Sequence, residues 1–281
     1  MEYRIISKQY LNPTVVRIAV QAPLVARKAQ AGQFVILRVS DHGERIPLTV
    51  AGVDPKAGTV EVIYQVVGAT TAALSRLAVG DCIADFVGPL GCPTELDGVK
   101  DALVVGGGVG CAIALPIARA LAARGANVDS IVGFRTKDLV ILQEEFAEVS
   151  KSVTLVTDDG SAGRQGNVTL PLNELLASGK HYDRIFAIGP LVMMKFTTLT
   201  AKPYGVPVTV SMNPIMVDGT GMCGGCRLSL NVDGKRVTKF ACVDGPDFDG
   251  YQVDFDEAME RSSNFAIEEQ HARSQCNLFR Q

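Results

Sequence analysis

One stretch constrains this chain more than any other. Asp218 to Cys242 reads D-G-T-G-M-C-G-G-C-R-L-S-L-N-V-D-G-K-R-V-T-K-F-A-C. Cys223 and Cys226 form a C-x2-C clamp, Cys242 follows after fifteen residues, and Asp218 precedes Cys223 by a four-residue spacer. That order of gaps is the plant-type [2Fe–2S] spacing, with an aspartate where the first cysteine stands. Gly219, Gly221, Gly224 and Gly225 permit positive φ and let backbone N–H groups approach cluster sulfides. A structural zinc site also suits C-x2-C with a later cysteine, Asp218 or another group being the fourth ligand. Zinc ribbons usually bring two such clamps, and this stretch has one. A [2Fe–2S] cluster passes single electrons and binds no substrate, so the rest of the chain has to supply a two-electron partner.

At 281 residues the chain is long enough for two or three domains. Its 27 basic and 30 acidic residues are interspersed, so no basic stripe points to nucleic acid. No apolar run reaches membrane-spanning length, and the first ten residues alternate like a strand rather than a signal peptide. Seven cysteines, three of them in one motif, argue against a disulfide framework. These features predict a cytoplasmic protein without membrane insertion.

Residues 1–98 are expected to form an antiparallel β-barrel. Runs such as V-V-R-I-A-V-Q, G-Q-F-V-I-L-R-V and G-T-V-E-V-I-Y-Q-V-V are strands bounded by turn residues, with one short helix near Thr71–Leu77. In Arg45-Ile46-Pro47-Leu48-Thr49, alternation puts Arg45, Pro47 and Thr49 on one face. A guanidinium there can grip a diphosphate, and a hydroxyl can reach a ring edge. Gly68-Ala69-Thr70-Thr71 opens the helix, whose N–H groups favour a phosphate. An ordinary strand with a surface arginine fits each motif equally well when it is taken alone.

Residues 99–210 alternate strand and helix, the pattern of a parallel-sheet α/β nucleotide-binding domain. The strand Asp101–Val105 runs into Gly106-Gly107-Gly108-Val109-Gly110 and then a helix from Cys111 to Arg124, forming a pyrophosphate cradle. Pro116 removes one helical hydrogen bond and is expected to kink that helix. Further strands at Val128–Phe134, Val153–Thr157 and Arg184–Ile188 aim the loops Arg135–Lys137, Asp158–Ser161 and Gly189–Leu191 at one ligand. Arg135 suits a 2′-phosphate, but the loop holds only one more basic residue, Lys137, so NAD(H) and NADP(H) both stay open.

Residues 211–281 are expected to be a cluster arm with a helical tail. Arg227–Val232 and Arg236–Phe240 read as a hairpin around Asp233-Gly234. The segment after Cys242 has too few apolar residues for a core of its own and is expected to pack on another domain or a partner.

R-x-P-L-T, then Y-Q-V-V-G-x-T-T, then G-P-L-G at Gly88–Gly91 resembles the FAD domain of ferredoxin–NADP reductase-like flavoproteins. The resemblance implies that Arg45, Pro47, Leu48, Thr49, Ile63, Tyr64, Gln65, Gly68, Thr70 and Thr71 contact FAD. T-D-D-G-S and G-P-x-x-M-M resemble the NAD(P) half of the same family. This implicates Asp158, Asp159, Gly160, Gly189, Pro190 and Met193 alongside Gly107, Gly108, Val109, Gly110 and Arg135. The three parts in this order resemble the electron-transfer subunit of class B dihydroorotate dehydrogenase, a family that normally supplies four cysteines. With Asp218 in the first ligand place and V-D-G-P-D-F-D-G following Cys242, the chain is similar to the small subunit of NADH-dependent reduced ferredoxin:NADP oxidoreductase. That family is also described as the sulfide dehydrogenase beta subunit. It implies FAD, NAD(H) and a [2Fe–2S] cluster on Asp218, Cys223, Cys226 and Cys242. It further implies a heterodimer with a larger subunit related to the glutamate synthase small subunit. That partner carries a second FAD and further clusters, bifurcates electrons and deals with ferredoxin.

Overall fold

The computed structural model describes residues 2–264. Cys276 and most of the expected tail lie outside the described residues. The first seven strands are β1 (Tyr3–Asn12), β2 (Val15–Gln21), β3 (Phe34–Arg38), β4 (Arg45–Asp54), β5 (Thr59–Gln65), β6 (Cys82–Ile83) and β7 (Asp85–Leu90). They pair in the order β6-β1-β2-β5-β4-β3-β7, all antiparallel. One residue, Ala84, separates β6 from β7, yet these strands stand at opposite ends of that order. The sheet must therefore curl until its edges nearly meet, giving a nearly closed barrel. Its interior is filled by alternate residues of each strand, among them Ile5, Val16, Ile18, Val35, Leu37, Val62 and Tyr64. Two short helices, α1 (Pro23–Ala26) and α2 (Ala69–Arg76), pack on this core through Val25, Ala26 and Leu74.

A second sheet follows: β8 (Asp101–Gly107), β9 (Asn127–Phe134), β10 (Ser152–Thr157), β11 (Arg164–Gln165), β12 (Arg184–Ile188) and β13 (Val208–Ser211). Helices α3 (Cys111–Ala123), α4 (Gln143–Val149), α5 (Thr169–Ala177) and α6 (Leu191–Ala201) connect them. The order is β11-β10-β9-β8-β12-β13, all parallel. The chain walks outward from β8 and then returns to its other side with β12, so the switch point lies between these two strands. Open α/β sheets bind ligands at that point, beyond the carboxyl ends. The helix α3 continues through Pro116 as one element.

The arm comprises the hairpin β14 (Arg227–Val232) and β15 (Lys235–Phe240), then β16 (Asp247–Asp249) and α7 (Phe255–Ser263). Asp233 and Gly234 have φ of 49° and 76°, as a turn with two left-handed residues requires. The strand β16 pairs antiparallel with β13, so the segment after the cysteines becomes an edge of the nucleotide sheet. This accounts for its packing away from any core of its own. Two cores bridge the parts. Val15, Ala51 and Ile63 of the barrel pack with Ala112, Leu115 and Phe134, and Phe34 and Ile36 join Met212, Cys226, Leu228 and Phe248. Ion pairs add to the first contact: Glu145 meets Arg17 of β2 and Arg119 of α3, each at 2.6 Å. Among the described residues no helix is long and apolar enough to cross a membrane.

Candidate functional site: a flavin shelf, a nucleotide cleft and a cysteine loop

On β4 the side chains alternate as expected. Ile46 and Leu48 pack on the barrel core, leaving Arg45, Pro47 and Thr49 on the outer face, all half-buried. Arg45 Nε donates to the carbonyl of Val217 at 2.9 Å, so the arginine ties the barrel to the residue preceding Asp218. On β5, Tyr64 points into the barrel core and is 2% exposed, with its hydroxyl buried and without a partner among the described residues. Burial pushes that phenol well above the usual range. Of the three residues expected on β5, Gln65 faces the nucleotide cleft and Ile63 the interdomain core, while Tyr64 can reach a ligand only through its backbone. Thr71 serves the start of α2, its hydroxyl accepting from the N–H groups of Val67 and Gly68 at 3.0 Å each. Thr70 donates to Glu44 at 2.9 Å.

Between barrel and second sheet lies a cleft of about 860 Å³. Gly107, Gly108, Val109, Gly110, Arg135, Asp158, Gly189, Pro190 and Met193 line it. Space requires glycine at 110, and the Met193 side chain crowds Gly107. A Cβ on Gly110 would stand 2.6 Å from the Ile188 carbonyl oxygen and 2.7 Å from Gly189 Cα; on Gly107 it would meet Met193 Sδ at 2.3 Å. The helix start and the β12 loop thus touch backbone to backbone across the switch point. Asp159 and Gly160 are not in the lining. Asp159 accepts from the Ser161 hydroxyl at 2.6 Å and from its N–H at 3.0 Å, bonds that hold its carboxyl below the usual range. Sequence reasoning missed Asn12, Thr14, Ser211 and Asn213, which come from strand ends of different parts and meet only in the fold. It also missed Gly133, although a glycine inside a strand marks close approach; a Cβ there would meet Val168 at 2.5 Å.

The cysteine loop sits on the barrel. A Cβ on Gly219 would meet Leu90 at 2.7 Å and Ile36 at 2.8 Å, and Gly219 has φ of 75°. Cys226 and Cys242 are buried with their sulfurs 3.2 Å apart, while Cys223 is exposed at the mouth. Burial, then the neighbouring Cys226 thiol, push Cys242 up to about 12. Asp218 accepts from the N–H groups of Thr220 and Cys223, both at 2.9 Å, and its carboxyl is held low by these bonds, Thr220 first. The structure brings Cys226 and Cys242 together, and among the described residues no three potential ligands converge. The donor chemistry fits iron or zinc, since Cys223 and Cys226 stand on one glycine-rich loop and Cys242, just beyond the hairpin, gives its N–H to the Cys226 sulfur at 3.4 Å.

Comparison with known proteins decides the family. A family profile described as the iron–sulfur cluster binding domain of dihydroorotate dehydrogenase B matches residues 213–254. A Thermotoga maritima protein, described as a homolog of the dihydroorotate dehydrogenase B (NAD+) electron-transfer subunit, is 48% identical over 94% of this chain and 92% of its own. The chain belongs to that family of electron-transfer subunits. The subunit of that name from Streptococcus pneumoniae is 33% identical, over 87% of this chain and 94% of its own. Among solved structures, that of the NADH-dependent reduced ferredoxin–NADP oxidoreductase superposes with a TM-score of 0.90 and 42% identity, covering 98% of both chains. The reductase GcoB of an Amycolatopsis cytochrome P450 system, at 24% identity and TM-score 0.60, shares the fold over 73% of this chain and 66% of its own.

Membership of this electron-transfer family carries the expected cofactor set: FAD, a [2Fe–2S] cluster and NAD(H). It also makes the chain an oxidoreductase component that works with a larger partner subunit. Arg45 links β4 to the cysteine loop.

Proposed function

We propose that this chain is the nicotinamide-oxidising subunit of an electron-bifurcating NADH-dependent ferredoxin:NADP oxidoreductase. Its partner is a larger flavin and iron–sulfur subunit related to the glutamate synthase small subunit, and ferredoxin is served through that partner in the cytoplasm. The observation that carries this reading is the match of fold and sequence along 98% of both chains to the oxidoreductase structure. The D-x4-C-x2-C-x15-C motif supports it further. When bound, FAD exchanges hydride with the nicotinamide and single electrons with the cluster.

The chain's own residues position these groups. Arg45 offers its remaining guanidinium nitrogens to the FAD diphosphate while Nε holds the Val217 carbonyl. Pro47 and Thr49 would contact the flavin, and Gly68, Thr70 and Thr71 would serve its phosphates. Gly107 to Gly110 give the nucleotide diphosphate a backbone N–H cradle at the start of α3. Asp158 lines the cleft beside Arg135. An acidic group there favours ribose hydroxyls over a 2′-phosphate, which supports NAD(H). Cys223, Cys226, Cys242 and Asp218 hold the cluster.

Co-purification of the native complex, with an absorption spectrum and metal analysis, tests the proposal. A partner of the glutamate synthase type, flavin bands and iron with sulfide are expected. Iron-free protein with stoichiometric zinc would sink the redox reading. Recovery of a dihydroorotate-oxidising partner would establish the second reading, which the match at residues 213–254 favours.

A further inference from the structure

The nucleotide cleft has two ends, and the cores on either side of the second sheet tell them apart. Alternate residues of β8 serve opposite faces. Ala102 and Val104 pack with Ala112 and Leu115 of α3, in the core that also holds Val15 of the barrel. Leu103 and Val105 pack with Leu172 of α5 and Met194 of α6. Val15 lines the cleft together with Asn12, Thr14 and Gln65 of the barrel, whereas Thr169, Val192 and Phe196 of the lining belong to the helices of the other face. The cleft therefore crosses the carboxyl ends of the strands, from the barrel to the α5–α6 side.

At that second end α6 carries an apolar stripe in water. Met194, Thr197, Thr198 and Ala201 turn one side of the helix into the core. Val192, Phe196 and Leu199, spaced four and three residues apart, form the opposite stripe and are 53%, 53% and 48% exposed. Val192 and Phe196 line the cleft, and Leu199, one turn farther along, lies outside the lining. Among the described residues two aromatic rings stand in that lining. Phe134 is 5% exposed and belongs to the α3-side core, so Phe196 is the ring that an occupant can meet.

On the function proposed above, hydride transfer needs the nicotinamide against the flavin, which the barrel carries. The diphosphate takes the backbone cradle of Gly107 to Gly110, and the adenosine half is left with the α5–α6 end. A purine presents a flat π-face, and aromatic side chains are the usual platforms for stacked bases. We propose that Phe196 is the platform on which the adenine ring of the dinucleotide stacks, with Val192, one turn before it, as the apolar edge. Stacking takes both rings out of water, which gives a half-exposed phenylalanine in a polar-rimmed cleft its purpose. Phe196 thereby sets affinity for the adenosine half and positions the dinucleotide without touching the reacting atoms.

The test uses the flavin- and cluster-loaded protein with two probes besides NADH. ADP-ribose carries the adenosine diphosphate half alone, and reduced nicotinamide mononucleotide lacks adenosine. By calorimetry, Phe196→Ala should bind ADP-ribose about 10-fold more weakly than wild type, as expected for loss of a base-stacking side chain. Phe196→Tyr keeps the ring and should bind nearly as wild type does. Leu199→Ala, which truncates a comparably exposed residue of the same stripe outside the cleft, should leave ADP-ribose binding unchanged. In stopped-flow flavin reduction, the preference for NADH over the reduced mononucleotide should shrink in Phe196→Ala by the factor that calorimetry gives. Phe196→Leu removes the ring but keeps apolar bulk, and it decides the matter if the alanine variant does not fold. Wild-type ADP-ribose affinity in the ring-less variants, an equal loss in Leu199→Ala, or an unchanged preference between the two reductants overturns the stacking role. Wild-type protein that neither binds ADP-ribose nor is reduced by NADH would instead overturn the nucleotide assignment on which the proposal rests.

Discussion

Adding a single methyl group at Gly110 probes the tightest point of the nucleotide cleft. Gly110 has φ of −58°, a conformation alanine adopts freely, so the effect of Gly110→Ala is one of space alone. The new Cβ would lie 2.6 Å from the Ile188 oxygen and 2.7 Å from Gly189 Cα. Both are backbone atoms and cannot rotate away. Ordinary contact needs about 3.5 Å or more, so the start of α3 and the β12 loop must separate by roughly 1 Å. Overpacking of this kind costs about 1–3 kcal/mol. Replacing glycine by alanine at a helix start recovers at most about 1 kcal/mol. Net stability therefore falls by about 0–3 kcal/mol. The cleft suffers more, because both displaced segments line it. A misplacement of about 1 Å can lower the rate of a positioned reaction by about 100-fold. Stopped-flow reduction of the bound flavin by NADH reads both affinity and rate, and flavin content should not change. Affinity and rate both within about twofold of wild type would show that this contact does not position the nucleotide.

Three further perturbations address the other parts. Arg45→Ala should release FAD, since a charge-assisted contact contributes about 1.5–3 kcal/mol, and flavin content after gel filtration measures it; an unchanged dissociation constant would reduce Arg45 to a tie to Val217. Asp218→Ala should assemble the cluster poorly, whereas Asp218→Cys should keep it with altered EPR g values and midpoint potential; wild-type g values and potential at full occupancy in Asp218→Ala would leave Asp218 as a turn residue. At the far end of the sheet, burial alone would raise the Asp129 carboxyl, but bonds from Lys180, Ser152 and Tyr182 win and hold it below its ordinary value. That stabilisation is complete above the unfolded value, about pH 4, and is lost as pH falls through the lower folded value. The Tm gap between wild type and Asp129→Asn should therefore be widest near neutrality and shrink in acid; a gap that held constant into acid would contradict it.

The longer strands of both sheets were legible because their burial is regular. The Arg184–Ile188 strand and the Asp233-Gly234 turn carry their own local chemistry, and the structure shows both. The order of the three parts was legible from motifs. Side-chain direction was harder: Tyr64 sits in a run of buried residues, and nothing local says which of its neighbours faces the ligand. Asp159 and Asp158 look alike in sequence, and only the Ser161 bonds of the first separate them. The strand β16 escaped notice because D-F-D is too short and too charged to read as a strand. What makes it one is β13, nearly forty residues earlier in the chain.

That pairing has a consequence for how the protein can change. The cysteine loop and its hairpin leave the sheet at Ser211 and come back at Asp247, two residues that face each other across one ladder. Everything between them is a cassette whose entry and exit lie side by side. Residues can be exchanged inside it, those of the cysteine loop included, without moving a strand of the parallel sheet. The redox character of the arm can therefore drift while the hydride chemistry stays in place.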